Sequence, residues 1–438
     1  MAKASLLNIN MPAEIAAFCA REPQLLQLLA AVEAEQHSFW LVGGCLRDLL
    51  LGQAWGDLDI VADGDPSPLA KDWARRVNGK WFWLDQDRRY SRVLLHKQLH
   101  VDFAPLRAAT LAADLKLRDF TINSLALALG RKSSDTRLID PLGGLEHLRQ
   151  GLLVSAASTS FSDDPLRLLK GVRHAVNLNF TFSAQTFEEL CDHAHLLNRV
   201  AGERIRDELL LILGSTEAVR GLRMMARAGL LRALLGACVN RLDSEAVWSS
   251  LASFAARLQL LSTVSDLLKS VAETRALFLL AELFRITQPA ALDLLLQQKL
   301  RLSRYQQRLL QQLTAPQLEN SVAIEQLCQL EGSRRQALAV EQLQPCAWEK
   351  MLYSGLTGGE QQLAILAKCY RTFLRASRNG RVPDLLNGTR VVRLTGASPR
   401  QLGQWQKKIK AAEINQEITG PAEAERWLKN AIDSKNDS

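Results

Sequence analysis

The sequence predicts an α+β protein, a mixed α/β head followed by an all-α remainder. Three observations carry this. Short alternating or apolar runs interleave with short amphipathic helices up to about Leu153. From Ser162 onward leucine-rich segments with helical spacing follow one another nearly to the end. At 438 residues the chain is too long for one ordinary core, yet it carries no fixed-period repeat and no low-complexity tract.

Within the head, Phe39–Val42 reads as a short apolar strand. Cys45–Leu51 reads as a helix stopped by Gly52 in a C-cap role. Leu58–Ala62 is a second strand and Ser67–Val77 a helix. Lys80–Leu84, Arg92–His96 and Leu99–Ala104 alternate as strands do. Phe120–Leu129 is expected to be a buried helix, and Leu138–Ile139 a strand fragment before the turn Asp140-Pro141-Leu142-Gly143-Gly144. Ser162-Asp163-Asp164-Pro165 has the composition of a helix start. Gln185–Leu197, Gly202–Leu213, Ala276–Phe284, Ala291–Leu300 and Tyr305–Leu313 are amphipathic helices, and Arg378–Pro383 is a plausible boundary.

Composition narrows the class. A hydrophobic content of 47% with 23% charged residues fits a globular chain. No apolar run approaches the roughly 20 residues of a membrane span, and the first residues lack a signal-peptide pattern, so a cytoplasmic location is expected. Seven scattered cysteines (19, 45, 191, 238, 328, 346, 369), never spaced as CxxC, read as reduced thiols. The seven histidines follow no metal-binding spacing. Neither a Ser–His–Asp arrangement nor a GxxxxGK[ST] loop is present. Between Arg371 and Lys410 ten basic residues stand against one acid, Asp384, which accounts for the whole net charge of +8. That tract suits a polyanionic partner, the alternative being a solvated helix face.

The chemistry concentrates in FWLVGGCLRDLLLGQAWGDLDIVADG, Phe39 to Gly64. Asp57 and Asp59, two apart on a strand, point to one face. Two carboxylates so close favour a cation between them. Gly43 and Gly44 allow backbone to approach a triphosphate, and Arg47 can meet a phosphate with its planar fork. Asp102, in a neighbouring strand, is the candidate third carboxylate, or a solvated strand acid. Such an assembly serves phosphoryl or nucleotidyl transfer. Further on, Arg118 is a candidate phosphate ligand. Asp119 and Asn123, four apart, are candidates for ribose hydroxyls, unless Asp119 merely caps a helix. Asp164, Arg167, Lys170 and Arg173 recur every three residues as a polar stripe. They serve either as local ion pairs or as donors and acceptors facing a nucleobase edge.

These pieces, in this order, resemble the class II tRNA nucleotidyltransferase and bacterial poly(A) polymerase family, within the polymerase-β-like superfamily. LVGGCLRDLLLG…GDLDIV is similar to its first motif and LRDFTINSLAL to its ribose-selecting motif. LIDPLGGLEHLRQGLL is similar to the approach to the neck and FSDDPLRLLKGVRHA to its base-templating helix. VAGERIRDELLLIL, with Glu203, Arg204 and Glu208, is similar to the following neck motif. The likeness is dense over residues 39–213 and fainter over 383–430. It implies a polymerase-β-like nucleotidyltransferase head (1–153), a helical neck that recognises the base (154–215), a helical body (216–375) and a basic helical tail (376–438), laid out like a seahorse. It implies two Mg2+ ions on Asp57 and Asp59, with Asp102 helping to activate the primer 3′-hydroxyl. Gly44 and Arg47 would hold the triphosphate, and Arg118 with Asp119 would check the ribose. Asp164 and Arg167 would pair with CTP or ATP, supported by Lys170 and Arg173. Arg390, Arg393, Arg400, Lys407, Lys408 and Lys410 would grip tRNA phosphates at the elbow.

Four departures from the family pattern stand out. Leu117 precedes Arg118-Asp119 where the family usually has a second Arg, Asp163 stands for a usual Glu, and Lys170 for a usual Arg. Between Arg107 and Arg118, full CCA-adding members carry a longer flexible loop. The short link resembles CC-adding members, which work beside a separate A-adding enzyme. The expectation is therefore addition of the two cytidines of the tRNA CCA end from CTP. The alternatives are complete CCA addition, A-addition or poly(A) synthesis and, outside the family, an inactive RNA-binding protein or a nucleotidyltransferase acting on a small molecule or protein.

Overall fold

The computed structural model describes residues 23–53, 57–96, 99–129, 138–289, 291–314, 330, 332–342, 347–356, 359–377 and 381–436. Cys19, Cys328, Cys346 and the start of the expected boundary at 378–380 lie outside the described residues. The chain divides into two compact units, Met1–Val239 and Asn240–Ser438.

In the first unit six expected strands, with a seventh in a segment the sequence reads as helix, assemble into one seven-stranded sheet. They are β1 (Phe39–Val42), β2 (Asp57–Ala62), β3 (Lys80–Asp85), β4 (Tyr90–His96), β5 (Leu99–Pro105), β6 (Ala126–Leu129) and β7 (Leu138–Ile139), in the order β3-β4-β5-β2-β1-β6-β7. Every neighbouring pair is antiparallel except β2 and β5, which run parallel with Asp59 opposite Asp102 and Asp57 opposite His100. Alternation then decides which residue sees which face. Leu41, Leu58, Ile60, Val93, Val101 and Phe103 are buried. On that side Phe103 meets Trp73 of the helix Ser67–Arg76 edge to face, with centroids 6.0 Å apart. The opposite face carries Asp57, Asp59, Asp102 and Arg92. Beside them a small apolar cluster of Val42, Val61 and Ala126 is covered by Leu115 of the helix Leu111–Lys116. The carboxylates thus stand at the border between a dry patch and solvent.

The stretch Phe120–Leu129 corrects the sequence reading. Phe120 is extended and bridges Ser155, Thr121–Asn123 makes one 3-10 turn, and Ala126–Leu129 is strand β6, paired with β1. Alanine and leucine favour helix locally, but the open edge of β1 offers a full ladder of hydrogen bonds, and tertiary pairing overrides propensity. The helix expected from Ser162 is also split. Ser160–Asp163 forms a single turn, Asp164 is extended (φ −142°, ψ 95°), and the long helix runs Arg167–Asn177. A residue preceding proline is driven out of the helical region, and Pro165 follows Asp164. The helices Ala184–His193, Gly202–Gly214, Ala218–Arg227 and Leu230–Leu235 complete this unit, with Leu152–Leu153 (β8) and Thr181–Phe182 (β9) pairing as a minimal parallel ribbon.

The second unit is helical throughout its described residues. Its central helix, Val271–Thr287, is buried from Ala276 through Phe284. Glu282 lies within that run and is satisfied by Arg285 (2.9 and 2.6 Å) and by the Tyr353 hydroxyl (2.8 Å). The expected helix Ala291–Leu300 is instead an α-turn Leu292–Leu294 running into a π-helical turn Leu295–Lys299. The last three helices, Gly388–Thr395, Pro399–Ile414 and Pro421–Asn436, close over Val391, Ile409, Ala412, Ala424 and Leu428. Among the described residues no helix is long and apolar enough to cross a membrane.

Candidate active site

The site begins at the end of β1. Val42 delivers the chain to Gly43, whose φ of +86° and ψ of −147° are open only to glycine at low cost. A Cβ there would sit 3.0 Å from both Arg118 Nη1 and Asp59 Oδ2. The glycine therefore lets the β1 end, the Asp59 carboxylate and the Arg118 guanidinium converge. Gly44 opens the helix Gly44–Leu50, and Gly52 follows it with φ +65°, as expected of a helix stop.

Asp59 is the less exposed member of the pair. Burial raises its pKa; Asp102 and Asp57 raise it further, while Arg118 opposes. Arg118 is half-buried, and the partial loss of solvent pushes its pKa down, against the pull of Asp59 and Asp114. Its Nε makes no hydrogen bond and lies 3.9 Å from Asp114 Oδ2. Between β1 and the site, Cys45 donates its thiol to Val42 O (3.2 Å). Its pKa is pushed up to about 12 by burial and then by Asp59, so it is an inert thiol.

Asp57 and Asp102 share the face of Asp59, and each has a side-chain partner. Asp57 is mostly exposed and lies 3.2 Å from His100 Nδ1. Asp102 is gripped by Arg92 through both oxygens, at 2.6 and 2.8 Å. Among the described residues no three His, Cys, Asp or Glu side chains already form a cage for a metal ion. The donor set nevertheless suits a hard divalent cation, being carboxylate oxygens on one face.

Arg47, the expected phosphate ligand, is 9% exposed and points inward, donating from Nη1 to Asn123 Oδ1 (2.7 Å) and from Nε to Asp48 (2.8 Å). Asn123 passes the contact on, donating from Nδ2 to Asp119 Oδ1 at 2.9 Å with His174 Nε2 at 3.5 Å. Asp119 also accepts from the Phe120 N–H (2.8 Å). Asp119 and Asn123 do adjoin, through the 3-10 turn rather than along a helix face. His174 is pushed down to about 3 by burial and then by Arg173, and so is neutral at working pH.

The stripe Asp164, Arg167, Lys170 and Arg173 separates in the fold. Asp164 meets Arg204 at 3.3 Å. Arg167 donates to the carbonyls of Leu117 (2.7 Å), Arg118 (3.1 Å) and Ser160 (3.3 Å). Arg173 pairs with Glu208 at 2.6 Å. Lys170 is half-buried near Asp119. Of the tail set, Arg390 pairs with Glu425 (2.7 and 2.8 Å), and Lys410 with Glu341 (2.7 Å) and Asp384 (3.2 Å). Both are engaged within the unit. Arg393, Arg400, Lys407 and Lys408 are exposed, Lys408 lying 4.9 Å over the Trp405 ring.

Sequence reasoning missed four residues that build this site. Arg92 and His100 hold Asp102 and Asp57, and strand alternation with charge opposite charge is the signal that finds them. Asp114 and His174 carry no sequence signal, since each acquires its role only by burial. Asp114 accepts from the Arg107 backbone N–H (2.9 Å) and Nε (3.0 Å), folding the 107–118 link into a closed turn around itself. A cavity of about 210 Å³ is lined by Asp59, Asp102, Arg107, Arg118, Leu84 and Tyr90, among others.

Residues 39–154 match the family model of the poly(A) polymerase head domain, and residues 179–237 the model of a probable RNA- and SrmB-binding site of poly(A) polymerase. A CC-adding tRNA nucleotidyltransferase of Geobacter sulfurreducens is 34% identical over 406 residues, 89% of this chain and 91% of that protein. An A-adding tRNA nucleotidyltransferase of Deinococcus radiodurans is 39% identical over 196 residues, 44% of this chain and 43% of that protein. In fold, the chain is similar to a CCA-adding enzyme solved with CTP, at 23% identity and a TM-score of 0.70, covering 94% of this chain and 96% of the other. The chain belongs to the class II tRNA nucleotidyltransferase and bacterial poly(A) polymerase family, a family of nucleotidyl-transferring enzymes.

Proposed function

We propose that this chain adds the two cytidylates of the tRNA CCA end from CTP, releasing pyrophosphate, and leaves the terminal adenylate to a separate enzyme. The observation that carries the reading is the link from Arg107 to Arg118. It is short and stapled on both sides of the buried Asp114, leaving no long segment of the kind that full CCA-adding members use when they switch to ATP. The relative of like length from Geobacter sulfurreducens, a CC-adding enzyme, supports the same reading.

In this mechanism Asp57 and Asp59 would hold two Mg2+ ions, which would supply positive charge to the α-phosphate and to the leaving pyrophosphate. Gly43 and Gly44 bring main chain to the triphosphate, and the orphaned Arg118 Nε supplies a buried donor on the same side. Asp102, aligned by Arg92, accepts the proton of the primer 3′-hydroxyl at a carboxylate oxygen. Asp119, fixed by Asn123 and Arg47, meets the ribose. Asp164 and Arg167, with Lys170 and Arg173 behind them, face the base. To do so Asp164 exchanges Arg204 for the nucleotide. The exposed Arg393, Arg400, Lys407 and Lys408 hold tRNA phosphates. The residue ranges 1–153, 154–215, 216–375 and 376–438 act as head, neck, body and tail.

The deciding experiment incubates the full chain with Mg2+ and a tRNA lacking its CCA end, with CTP and ATP supplied separately and together, and sequences the 3′ end. Two added cytidines in the mixture, and no addition from ATP alone, are expected. A product carrying CCA refutes the CC-only reading in favour of complete CCA addition, and an adenylate tract refutes it in favour of A-addition or poly(A) synthesis. No transfer at all favours a binding protein.

A further inference from the structure

The register of the sheet places an exposed aromatic in line with the reacting carboxylates. Strand pairing joins Asp59 to Asp102, Asp102 to Arg92, and Arg92 to Phe82, so the four form one row across β2, β5, β4 and β3 on a single face. Phe82 is 42% exposed and Leu84, two residues on, is 49% exposed. Leu84 and Tyr90 line the same cavity as Asp59 and Asp102. Phe82 and Leu84 thus form an apolar pair on the carboxylate face of the sheet, beside the cavity that Asp59 and Asp102 line.

Alternation along β3 puts Phe82 on the face opposite its two tryptophan neighbours. Trp81 and Trp83 take the other face of β3, meeting edge to face at 4.9 Å, and Lys71 of the helix Ser67–Arg76 lies 5.2 Å from the Trp81 ring. The strand is anchored through its tryptophans, and the phenylalanine between them gains nothing from the core. With strands about 4.8 Å apart, Phe82 stands two strands, about 10 Å, from Asp102. The glycine turn and Arg118 lie on the β1 side of Asp59. On the reading above the triphosphate meets Gly43 and Gly44 on that side, which leaves the β5-β4-β3 side for the other reactant.

The geometry points to Phe82, with Leu84, as the platform on which the base of the primer's 3′-terminal nucleotide stacks, a positioning contact that sets its 3′-hydroxyl beside Asp102. This rests on the nucleotidyl-transfer reading above. Every base offers a π-face, so an aromatic platform accepts whichever nucleotide ends the primer, before and after an addition. Arg92, between Phe82 and Asp102 in the row, stands below the ribose that joins that base to its 3′-hydroxyl.

The test is a residue-by-base cycle on the full chain. Single cytidylate addition is measured on tRNA primers lacking the CCA end, intact or with the base of the 3′-terminal nucleotide removed. For the wild type, base removal should raise the primer KM about fivefold or more. In Phe82→Ala the intact primer should already show that KM, and base removal should add little. Phe82→Trp should restore the difference, Leu84→Ala should weaken it, and KM for CTP should stay unchanged throughout. Equal sensitivity to base removal in wild type and Phe82→Ala overturns the proposal. So does a Phe82→Ala variant with unchanged primer KM but altered sedimentation, which would assign the patch to a second copy pairing along the open β3 edge. A wild-type chain that transfers nothing to tRNA refutes the nucleotidyl-transfer reading, and this contact with it, whereas normal transfer with a flat cycle refutes the contact alone.

Discussion

Arg92 holds both carboxylate oxygens of Asp102 from the next antiparallel strand, at 2.6 and 2.8 Å, with the two residues directly opposed in register. Two parallel N–H···O bonds fix the plane of the carboxylate as well as its charge state. Replacing Arg92 by Lys keeps the charge and loses the fork. Nucleotidyl transfer by Arg92→Lys should fall about 10-fold or more in kcat, with tRNA affinity nearly unchanged. Single-turnover kinetics beside a binding titration check this.

Gly43 admits no side chain. Its positive φ and the 3.0 Å approaches to Arg118 and Asp59 act together. Gly43→Ala should cost about 1–3 kcal/mol of stability and abolish most activity, because the positive φ is strained for a side chain and the ends of Asp59 and Arg118 must give way. Denaturant melts and activity assays on the same preparation measure both effects.

Divalent cations should stabilise the protein through Asp59. Its raised pKa means that the folded chain binds this proton more tightly than the unfolded chain. The stability it contributes is fully present below the unfolded pKa and is lost as pH rises through the folded pKa. Mg2+ should restore it at neutral pH. Thermal melts with and without Mg2+ should show a Tm rise in wild type that shrinks on acidification and is absent in Asp59→Asn.

His174 gives a second pH signature of its own. Its folded pKa, about 3, lies below the usual 6.5 because of burial and Arg173. As pH falls below about 6.5, the unfolded chain takes up this proton while the folded chain does not, so stability is lost steadily down to about pH 3. The slope from one such proton is about 1.4 kcal/mol per pH unit. Urea melts from pH 6.5 to 4.5 should show a shallower slope in His174→Gln.

In the tail, the exposed and the paired cations should separate. Ala substitutions at Arg393, Arg400 and Lys407 should each weaken tRNA binding and reduce the slope of log K against log salt by about 1. The same change at Lys410, which is tied to Glu341 and Asp384, should chiefly lower Tm. Salt titrations of binding, run beside melts, tell the two classes apart.

Much of this site is legible in the order of residues along the chain. Asp57 and Asp59 share a face because strand side chains alternate, and Gly43-Gly44 marks a turn that only small residues allow. Those are local rules, and Phe39–Val42, Leu99–Ala104 and Gly202–Leu213 take their expected forms for the same reason. The segment Phe120–Leu129 does not, because its helix-forming residues meet an open strand edge whose existence depends on β1. Asp164 and Arg167 share a stripe in the sequence, but Pro165 breaks the helix between them and each finds its partner elsewhere.

The sequence by itself determined the reaction class, through the order and spacing of LVGGCLRD, DLD, LRDFTIN and DDPLRLLKGVR, because the residue types a nucleotidyl transfer needs stand there in the order the family keeps. Only the tertiary structure decided which charges are available. Arg47 is turned inward to Asn123, Asp102 is held by Arg92, Lys410 is spent on Glu341, and Phe82 is left open beside the carboxylates. The physical reason is that pairing and burial are set by strand register and helix packing between residues far apart in sequence, and one residue's shift of register would exchange every partner.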